Sequence, residues 1–296
     1  MLFMLAAVWG ASYLFIKLGV EGGFAPATFT AARAAIATVI LLGYLGKTIG
    51  VRRALDELGG SWRSWVVLGV VGNALPFWLV AWGETHIDSG IAAIAQATVP
   101  LFTIVLGLRF LPHEPMGLGR WSGVVMGLVG VAALTGLDPE SNRWVIVGTL
   151  AVVLSSLAYA TGNVVGQRSV AAAAGPVLAC GAMLATTLVL TPIALFQLPE
   201  SVPTGKSIAS LLALATIGTA FAQLLLYRML RLYGGRRMSL VTYLMPPFAL
   251  AYGALFLDEP LRPSALLGLA LILLGVALGS GGLRSFRARA ATAAAP

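Results

Sequence analysis

The chain has 296 residues, of which 58% are hydrophobic and 10% are charged, and its mean hydropathy is +0.91. Soluble domains carry about 25% charged residues, so this composition excludes an ordinary soluble protein and indicates one that crosses a membrane several times. The net charge of +8 does not indicate nucleic-acid binding, because the basic residues lie in short loops and not on one aromatic-rich face.

Ten apolar runs of about 18 to 25 residues follow one another, and each is long enough to span a bilayer. They are approximately 1–20, 25–45, 64–84, 88–110, 117–136, 144–167, 175–198, 207–230, 236–257 and 263–283. The first run carries Lys17 and lacks a basic region before it, so we interpret it as a spanning helix and not as a cleaved signal peptide.

The second half of the chain repeats the first. The stretch 96–115 aligns with 242–260, so that Pro100 corresponds to Pro246, and further along the halves Gly72 corresponds to Gly218. Five helices per half is an odd number, so the halves have opposite orientations. The sequence therefore predicts an all-α integral membrane protein with ten transmembrane helices in two inverted five-helix repeats, residues 1–137 and 144–283. A disordered tail, 284–296, is predicted to follow.

Pro100 and Pro246 each lie inside an apolar run. A proline there removes a helical hydrogen bond and frees a carbonyl, which lipid cannot satisfy. Interrupted helices at matching places in two repeats are typical of a transporter's binding site. We therefore expect both helices to be broken beside a central cavity, which the first, third, fourth, sixth, eighth and ninth runs would line.

The distribution of lysine and arginine predicts the orientation, because cytoplasmic loops are enriched in both. With the N-terminus inside, only Arg143, Lys206 and Arg262 fall outside the cell. The basic residues that then fall inside are Lys47, Arg52, Arg53, Arg63, Arg109, Arg120, Arg168, Arg228, Arg231, Arg236, Arg237, Arg284, Arg287 and Arg289. Both termini are thus predicted to be cytoplasmic.

Polar and aromatic residues at the depth of the lipid are the candidates for substrate binding. Such polar residues often mark transport pathways, although they also form hydrogen bonds between packed helices. Aromatic rings stack on aromatic solutes but also fill ordinary cores. With the two prolines included, the predicted substrate-binding residues are Trp9, Asn73, Phe77, Trp78, Gln96, Pro100, Tyr159, Asn163, Gln223, Tyr227 and Pro246.

Two basic residues, Lys17 and Arg33, lie within apolar runs. Lys17 lies near a helix end, where it can extend to the interface. Arg33 lies about 10 Å deeper than Pro26, at 1.5 Å per residue. It either binds a substrate carboxylate or pairs with carbonyls and Glu21, and we favour the structural role.

For Glu114 and Glu259, at helix ends, we favour a loop-ordering role. Gly119, Gly123 and Gly127 predict close helix packing within the chain.

Catalytic, metal and cofactor sites are not predicted. Cys180 is the single cysteine, and the two histidines lie far apart, so a metal site is not expected. Neither Gly46-Lys47-Thr48 nor Gly205-Lys206-Ser207 has the upstream glycine of a P-loop. An intramembrane hydrolase is a remote alternative. The repeated charged or carbonyl ring of a channel is missing.

The residues resemble those of a known family. Trp9-Gly10-Ala11-Ser12 and Lys17, followed by Pro26 and Arg33, resemble the start of drug/metabolite transporter superfamily members with ten helices and two EamA-type repeats. The endings Leu-Pro-His-Glu-Pro at 111–115 and Leu-Asp-Glu-Pro at 257–260 fit the same pattern.

The resemblance implies a carrier of the bacterial inner membrane that exports small metabolites by alternating access, and the chain is similar to bacterial aromatic amino-acid exporters. A multidrug or phosphorylated-metabolite transporter is the alternative. The expected partners are a small-molecule substrate and the lipid bilayer, without nucleic acid, and a monomer is favoured.

Overall fold

The computed structural model describes residues 1–110, 117–136, 142–169, 173–199, 201–238 and 240–279, and every regular element within them is helical. Glu114 and the predicted tail 284–296 lie outside these residues. The α-helices are α1 (Leu2–Glu21), α2 (Pro26–Thr48), α3 (Val51–Gly60), α4 (Trp62–Gly69), α5 (Leu75–Gly83), α6 (Ser89–Gln96), α7 (Val99–Phe110), α8 (Leu118–Gly136), α9 (Arg143–Ser169), α10 (Gly175–Leu195), α11 (Gly205–Ala213), α12 (Ala222–Met238), α13 (Leu240–Phe256) and α14 (Pro263–Gly279). Two π-helical segments, π1 (Val70–Ala74) and π2 (Leu214–Phe221), connect α4 to α5 and α11 to α12.

Many of these helices are membrane spans by length and composition. Seven helical stretches of the described chain have at least 18 residues and sufficient hydropathy to cross a bilayer. Three further apolar helices, within α8, α13 and α14, are shorter. The predicted all-α membrane fold is confirmed, whereas the number of ten spans stays a prediction.

Two glycine-rich helices pack against each other in a reciprocal way. A Cβ atom added at Gly123 in α8 would clash with the carbonyl oxygen of Gly275 in α14, and one at Gly130 would lie 2.9 Å from the carbonyl oxygen of Gly268. In the repeat, Gly123 corresponds to Gly268 and Gly130 to Gly275. A two-fold axis between the repeats produces such reciprocal contacts between equivalent residues. The prediction of close packing within the chain is confirmed for Gly123 and Gly127, which meet Gly275 and Leu101, whereas Gly119 has nothing within 4 Å of an added Cβ atom.

The expected interruption at the two prolines occurs only in the first repeat. There α6 ends at Gln96, a turn follows at Ala97 and Thr98, and α7 begins before Pro100. In the second repeat α13 continues through Pro246 and Pro247, so the expectation of a break there is wrong. The helix tolerates the loss of the hydrogen bond because neighbouring helices can satisfy the carbonyl that a proline frees.

The symmetric interruption is a change from α to π hydrogen bonding. Gly72 in π1 corresponds to Gly218 in π2. In π1, Pro76 cannot donate to the Gly72 carbonyl, and the N–H of Leu75 donates to the carbonyl of Val70, five residues back. In π2, the hydroxyl of Thr219 donates to the carbonyl of Leu214, also five residues back, at 2.8 Å. Segments of this type are frequent at functional sites.

Candidate functional site

A cavity of about 190 Å³ lies between the two repeats, and both π-helical segments contribute to its wall. One water needs only about 10–15 Å³ on the same measure, so the cavity can hold a small organic molecule. All six predicted helical runs line it, together with α2. The lining residues are Trp9, Ser12, Tyr13, Ile16, Arg33, Asn73, Phe77, Val80, Gln96, Val99, Tyr159, Asn163, Gly218, Thr219, Gln223, Thr242 and Met245.

Seven of the eleven sequence-predicted site residues lie in this wall. They are the three rings and four amides of Trp9, Phe77, Tyr159, Asn73, Gln96, Asn163 and Gln223. The cavity therefore combines an aromatic surface with neutral hydrogen-bonding groups. The rings of Phe77, from the first repeat, and Tyr159, from the second, have their centroids 6.4 Å apart.

The other four predicted residues are placed outside the wall. Trp78 packs against a cluster of buried residues in α2 and α10 that includes Ala31 and Leu190. Tyr227 packs against Gly175, at the start of α10. Pro100 and Pro246 do not line the cavity, but each acts on a residue that does. Neither proline can donate to the carbonyl four residues before it, and those carbonyls belong to Gln96 and Thr242, both in the wall.

The most buried amide of the wall has one free donor. Gln96 is 5% exposed, and its Oε1 accepts a hydrogen bond of 2.9 Å from the hydroxyl of Ser155 in α9. Its Nε2 has no partner among the described residues. An unpaired buried amide costs about 1–3 kcal/mol, so this N–H group is suited to a hydrogen-bond acceptor within the cavity.

Arg33 is the feature of the wall that the sequence interpretation placed in a structural role. It is 6% exposed, its Nε donates to the hydroxyl of Thr219 at 2.7 Å, and its Cζ lies 3.9 Å from the centroid of the Phe77 ring. Glu21, its expected partner, instead pairs with Lys17 at 3.1 Å. The sequence does show that α2 carries one basic residue at this depth. The direction in which its side chain points depends on the fold.

The cavity is closed at one end by hydrogen bonds within the first repeat and between the two repeats. The Nζ of Lys17 donates to the carbonyls of Glu84 and Ile87, each at 2.9 Å, so Lys17 is bonded inside the protein and not extended to the interface as predicted. The hydroxyl of Ser207 in α11 donates to the carbonyl of Gly19 in α1 at 2.8 Å.

A carboxylate completes the same closed end. Glu259, between α13 and α14, accepts hydrogen bonds from the backbone N–H and the hydroxyl of Ser89, at 2.7 and 2.8 Å, and from the N–H of Gly90 at 3.1 Å. These N–H groups belong to the start of α6, where the helix dipole favours a negative charge. The predicted loop-ordering role of Glu259 is confirmed.

Exposure of the lining residues rises toward the opposite end. Along α1, Ile16 is 3% exposed and Tyr13 5% exposed, whereas Trp9 is half-buried. Along α9, Ser155, which donates to the lining residue Gln96, is fully buried, and the lining residue Asn163 is exposed. The cavity therefore opens toward the beginning of α1 and the end of α9.

The cavity is not built for a metal. Its lining residues include no histidine, cysteine, aspartate or glutamate. Throughout the described part of the chain, no three such residues come together as a metal site would require.

Comparison with known proteins assigns this architecture to a family. Residues 1–136 and 146–280 match the model of the EamA-like transporter family. An uncharacterized inner membrane transporter of Escherichia coli K12, YedA, is 30% identical over 205 residues, which make up 67% of this chain and 64% of YedA. A probable terminal-alkyne amino-acid exporter of Streptantibioticus cattleyicolor is 28% identical over 94% of this chain and 91% of that protein.

A solved crystal structure with 21% sequence identity covers 96% of both chains with a TM-score of 0.67, which shows the same fold. The family and the names of these relatives indicate a transporter and not an enzyme. With both halves of the chain matched, this multi-pass membrane protein belongs to the EamA-like transporter family of the drug/metabolite transporter superfamily.

Proposed function

We propose that the protein is a bacterial inner-membrane carrier that exports small amphipathic metabolites, with aromatic and other apolar amino acids as the first candidates. The observation that carries this proposal is the composition of the cavity wall. Trp9, Phe77 and Tyr159 offer rings to an apolar body, and Gln96 and Gln223 offer amides to a polar group. A cavity of mainly apolar lining with a few convergent polar groups is the usual form of a small-molecule site.

The remaining polar groups of the wall can also bind the polar part of such a substrate. Asn73 and Asn163 extend the amide set, and the carbonyls of Gln96 and Thr242, to which the two prolines cannot donate, add acceptors. The exporter from Streptantibioticus cattleyicolor, named for an amino-acid substrate, supports the same substrate class.

The two unequal ends of the cavity support alternating access. Hydrogen bonds between the repeats, from Ser207 to Gly19 and from Ser89 to Glu259, close one end, and the wall is increasingly exposed toward the other. With the N-terminus in the cytoplasm, as the basic residues predict, the open end faces the cytoplasm. A carrier that exports its substrate must load from that side. Rocking of one repeat against the other would then open the closed end.

A phosphorylated metabolite is the second candidate, and the wall does not favour it. Phosphate sites generally combine several basic groups, and Arg33 is the one basic residue among the lining residues described here. Multidrug transport on the same scaffold remains the other alternative, since rings and amides also accommodate drugs.

The test is transport by purified protein in liposomes. A panel of radiolabelled amino acids should show saturable movement of phenylalanine, tryptophan or leucine, with little movement of glutamate or lysine. Protein-free liposomes give the background, and excess unlabelled substrate should abolish the signal. Transport of sugar phosphates or of cationic dyes, without transport of any amino acid, would favour the alternatives instead.

A further inference from the structure

Arg33 lies in the cavity and forms no ion pair with any described carboxylate. Buried charges are normally paired, because desolvation of an isolated charge is costly. The ion pairs found among the described residues include none with Arg33, and its partners are the Thr219 hydroxyl and the Phe77 ring, both neutral. Arginine stays protonated in proteins, so the guanidinium brings a full positive charge to the wall.

The contacts of Arg33 fix the guanidinium and leave its terminal nitrogens available. Thr219 accepts the hydrogen bond from Nε, and the Cζ of the guanidinium lies over the ring of Phe77. Among the described residues, neither terminal nitrogen makes a hydrogen bond. Two parallel N–H groups of a fixed guanidinium match the two oxygens of a carboxylate.

Gln96 is an independent indication of the same ligand chemistry. Its Nε2 is a buried donor of the same cavity and has no partner in the described part of the chain. The unused groups at Arg33 and Gln96 are thus donors, which an anionic oxygen can satisfy and an ammonium group cannot.

The lining residues include no negatively charged side chain that could pair with a positive charge on a ligand. Arg33 is the one charged residue among the lining residues, and the acceptors available to an ammonium group are neutral amides, hydroxyls and carbonyls. An organic cation would enter beside the positive charge of an arginine that has no ion-pair partner among the described residues. A monocarboxylate would neutralise it.

We propose that Arg33 binds the carboxylate of the substrate, and that the cavity selects substrates by this carboxylate and not by an ammonium group. Aromatic monocarboxylates are then substrates alongside aromatic amino acids, and organic cations are excluded. This inference rests on the proposed function, since it assumes that small amphipathic solutes bind in this cavity.

Three compounds with the same phenyl ring test the proposal: 3-phenylpropionate, phenylalanine and 2-phenylethylamine. Their affinities for the purified full-length protein at pH 7.5 can be measured by competition with radiolabelled phenylalanine. We expect the acid to bind within about threefold of phenylalanine and the amine at least about tenfold more weakly, since tenfold corresponds to about 1.4 kcal/mol.

Substitution of Arg33 separates recognition from structure. Arg33→Gln should weaken the acid and phenylalanine about tenfold or more and leave the amine unchanged or tighter. Thr219→Val, which keeps the charge but removes the hydroxyl that holds Nε, should weaken the acid by a smaller factor. Lys17→Gln is the matched control, because Lys17 is bonded to carbonyls outside the wall and should keep the order of the three compounds.

The outcomes separate the two proposals. If the amine binds wild-type protein as well as the acid does, the role of Arg33 is overturned while the proposed function stands. Equal losses for all three compounds in Arg33→Gln, with gel filtration unchanged, would also overturn that role. If none of the three compounds competes and no amino acid is transported, the proposed function itself fails and this inference with it.

Discussion

The carboxylate of Glu259 accepts hydrogen bonds from both the backbone N–H and the hydroxyl of Ser89, across the boundary between the two repeats. Ser89 begins α6, and the last residue of α6 is Gln96, in the cavity wall. The contact that closes one end of the cavity is therefore joined by a single short helix to the residue with a free donor inside it.

Loss of this carboxylate should open the closed end more often. In a Cys180→Ala background, a cysteine at Ile16 reports access to the deep part of the cavity, where Ile16 is 3% exposed. We expect Glu259→Ala to speed its labelling by an impermeant maleimide in intact cells about tenfold, as a shift of about 1.4 kcal/mol in the closure equilibrium would. Glu57→Ala, on α3, is the control. An unchanged labelling rate would show that Glu259 only orders its loop.

The two ends should face opposite sides of the membrane. Val202, in the link before α11, is 88% exposed, and the side chain of Arg53, on α3, is 72% exposed. In the cysteine-free chain, the impermeant reagent should label Val202→Cys in intact cells and Arg53→Cys only after lysis. The reverse pattern would contradict the orientation that the basic residues predict.

Removal of a cavity amide should weaken binding without loss of protein. Net hydrogen bonds contribute about 0.5–1.5 kcal/mol and more when one partner is charged, so Gln96→Ala and Gln223→Ala should each raise the apparent Kd for phenylalanine about tenfold. Gln197→Ala removes an exposed glutamine outside the cavity and should have no effect. If the first two variants lose membrane abundance and keep their affinity, these amides serve helix packing instead.

The glycine contact between α8 and α14 should be sensitive to a single methyl group. Gly123→Ala places a Cβ against the backbone of α14 and should cost about 1–3 kcal/mol of stability. Gly119, on the same helix, has nothing within 4 Å of an added Cβ, so Gly119→Ala is a matched control. Thermal unfolding in detergent compares the two variants. Equal midpoint temperatures of unfolding for the two variants would show that α8 and α14 move apart at a small cost in free energy.

Glu84 should make stability depend on pH. Burial raises the pKa of its carboxyl well above the ordinary value of 4.5, with Lys17 acting in the opposite direction. The folded protein therefore keeps a proton that the unfolded chain releases above about pH 4.5, so the free energy of unfolding falls as pH rises above that value. Glu84→Gln should remove this contribution. The midpoint temperatures of thermal unfolding at pH 5 and pH 8, measured for the wild type and for Glu84→Gln, test this contribution. An equal decrease of the midpoint from pH 5 to pH 8 in both proteins would assign the effect to another group.

Part of the site was predictable because it depends on residue type and depth. Amides such as Gln96 and rings such as Trp9 are unusual within apolar runs, and the repeat indicated which helices meet. The side of a helix on which a given side chain lies was harder to predict from the sequence. Phe77 and Trp78 are neighbours, and successive residues of an α-helix diverge by about 100°, so one lines the cavity and the other packs between α2 and α10.

Other features depend on tertiary structure. The sequence shows that Arg33 is at lipid depth, but its distance from Thr219, 186 positions along the chain, exists only in the folded protein. The continuity of α13 through Pro246 likewise depends on its neighbours, since the same residue type accompanies a break at Pro100.

The π-helical segments also determine how the cavity wall would respond to a change in chain length. A π-helical turn is an α-helix that contains an extra residue, so deletion of one residue from π1 or π2 would restore uninterrupted α hydrogen bonding. Every side chain on one side of the deletion would then turn by about 100° relative to the other side. In π1 such a turn would move Phe77 and Val80 away from the cavity, and in π2 it would move Gln223. The extra residue in each π-helical segment thus sets the direction in which the following lining side chains point, independently of which side chains form the binding surface.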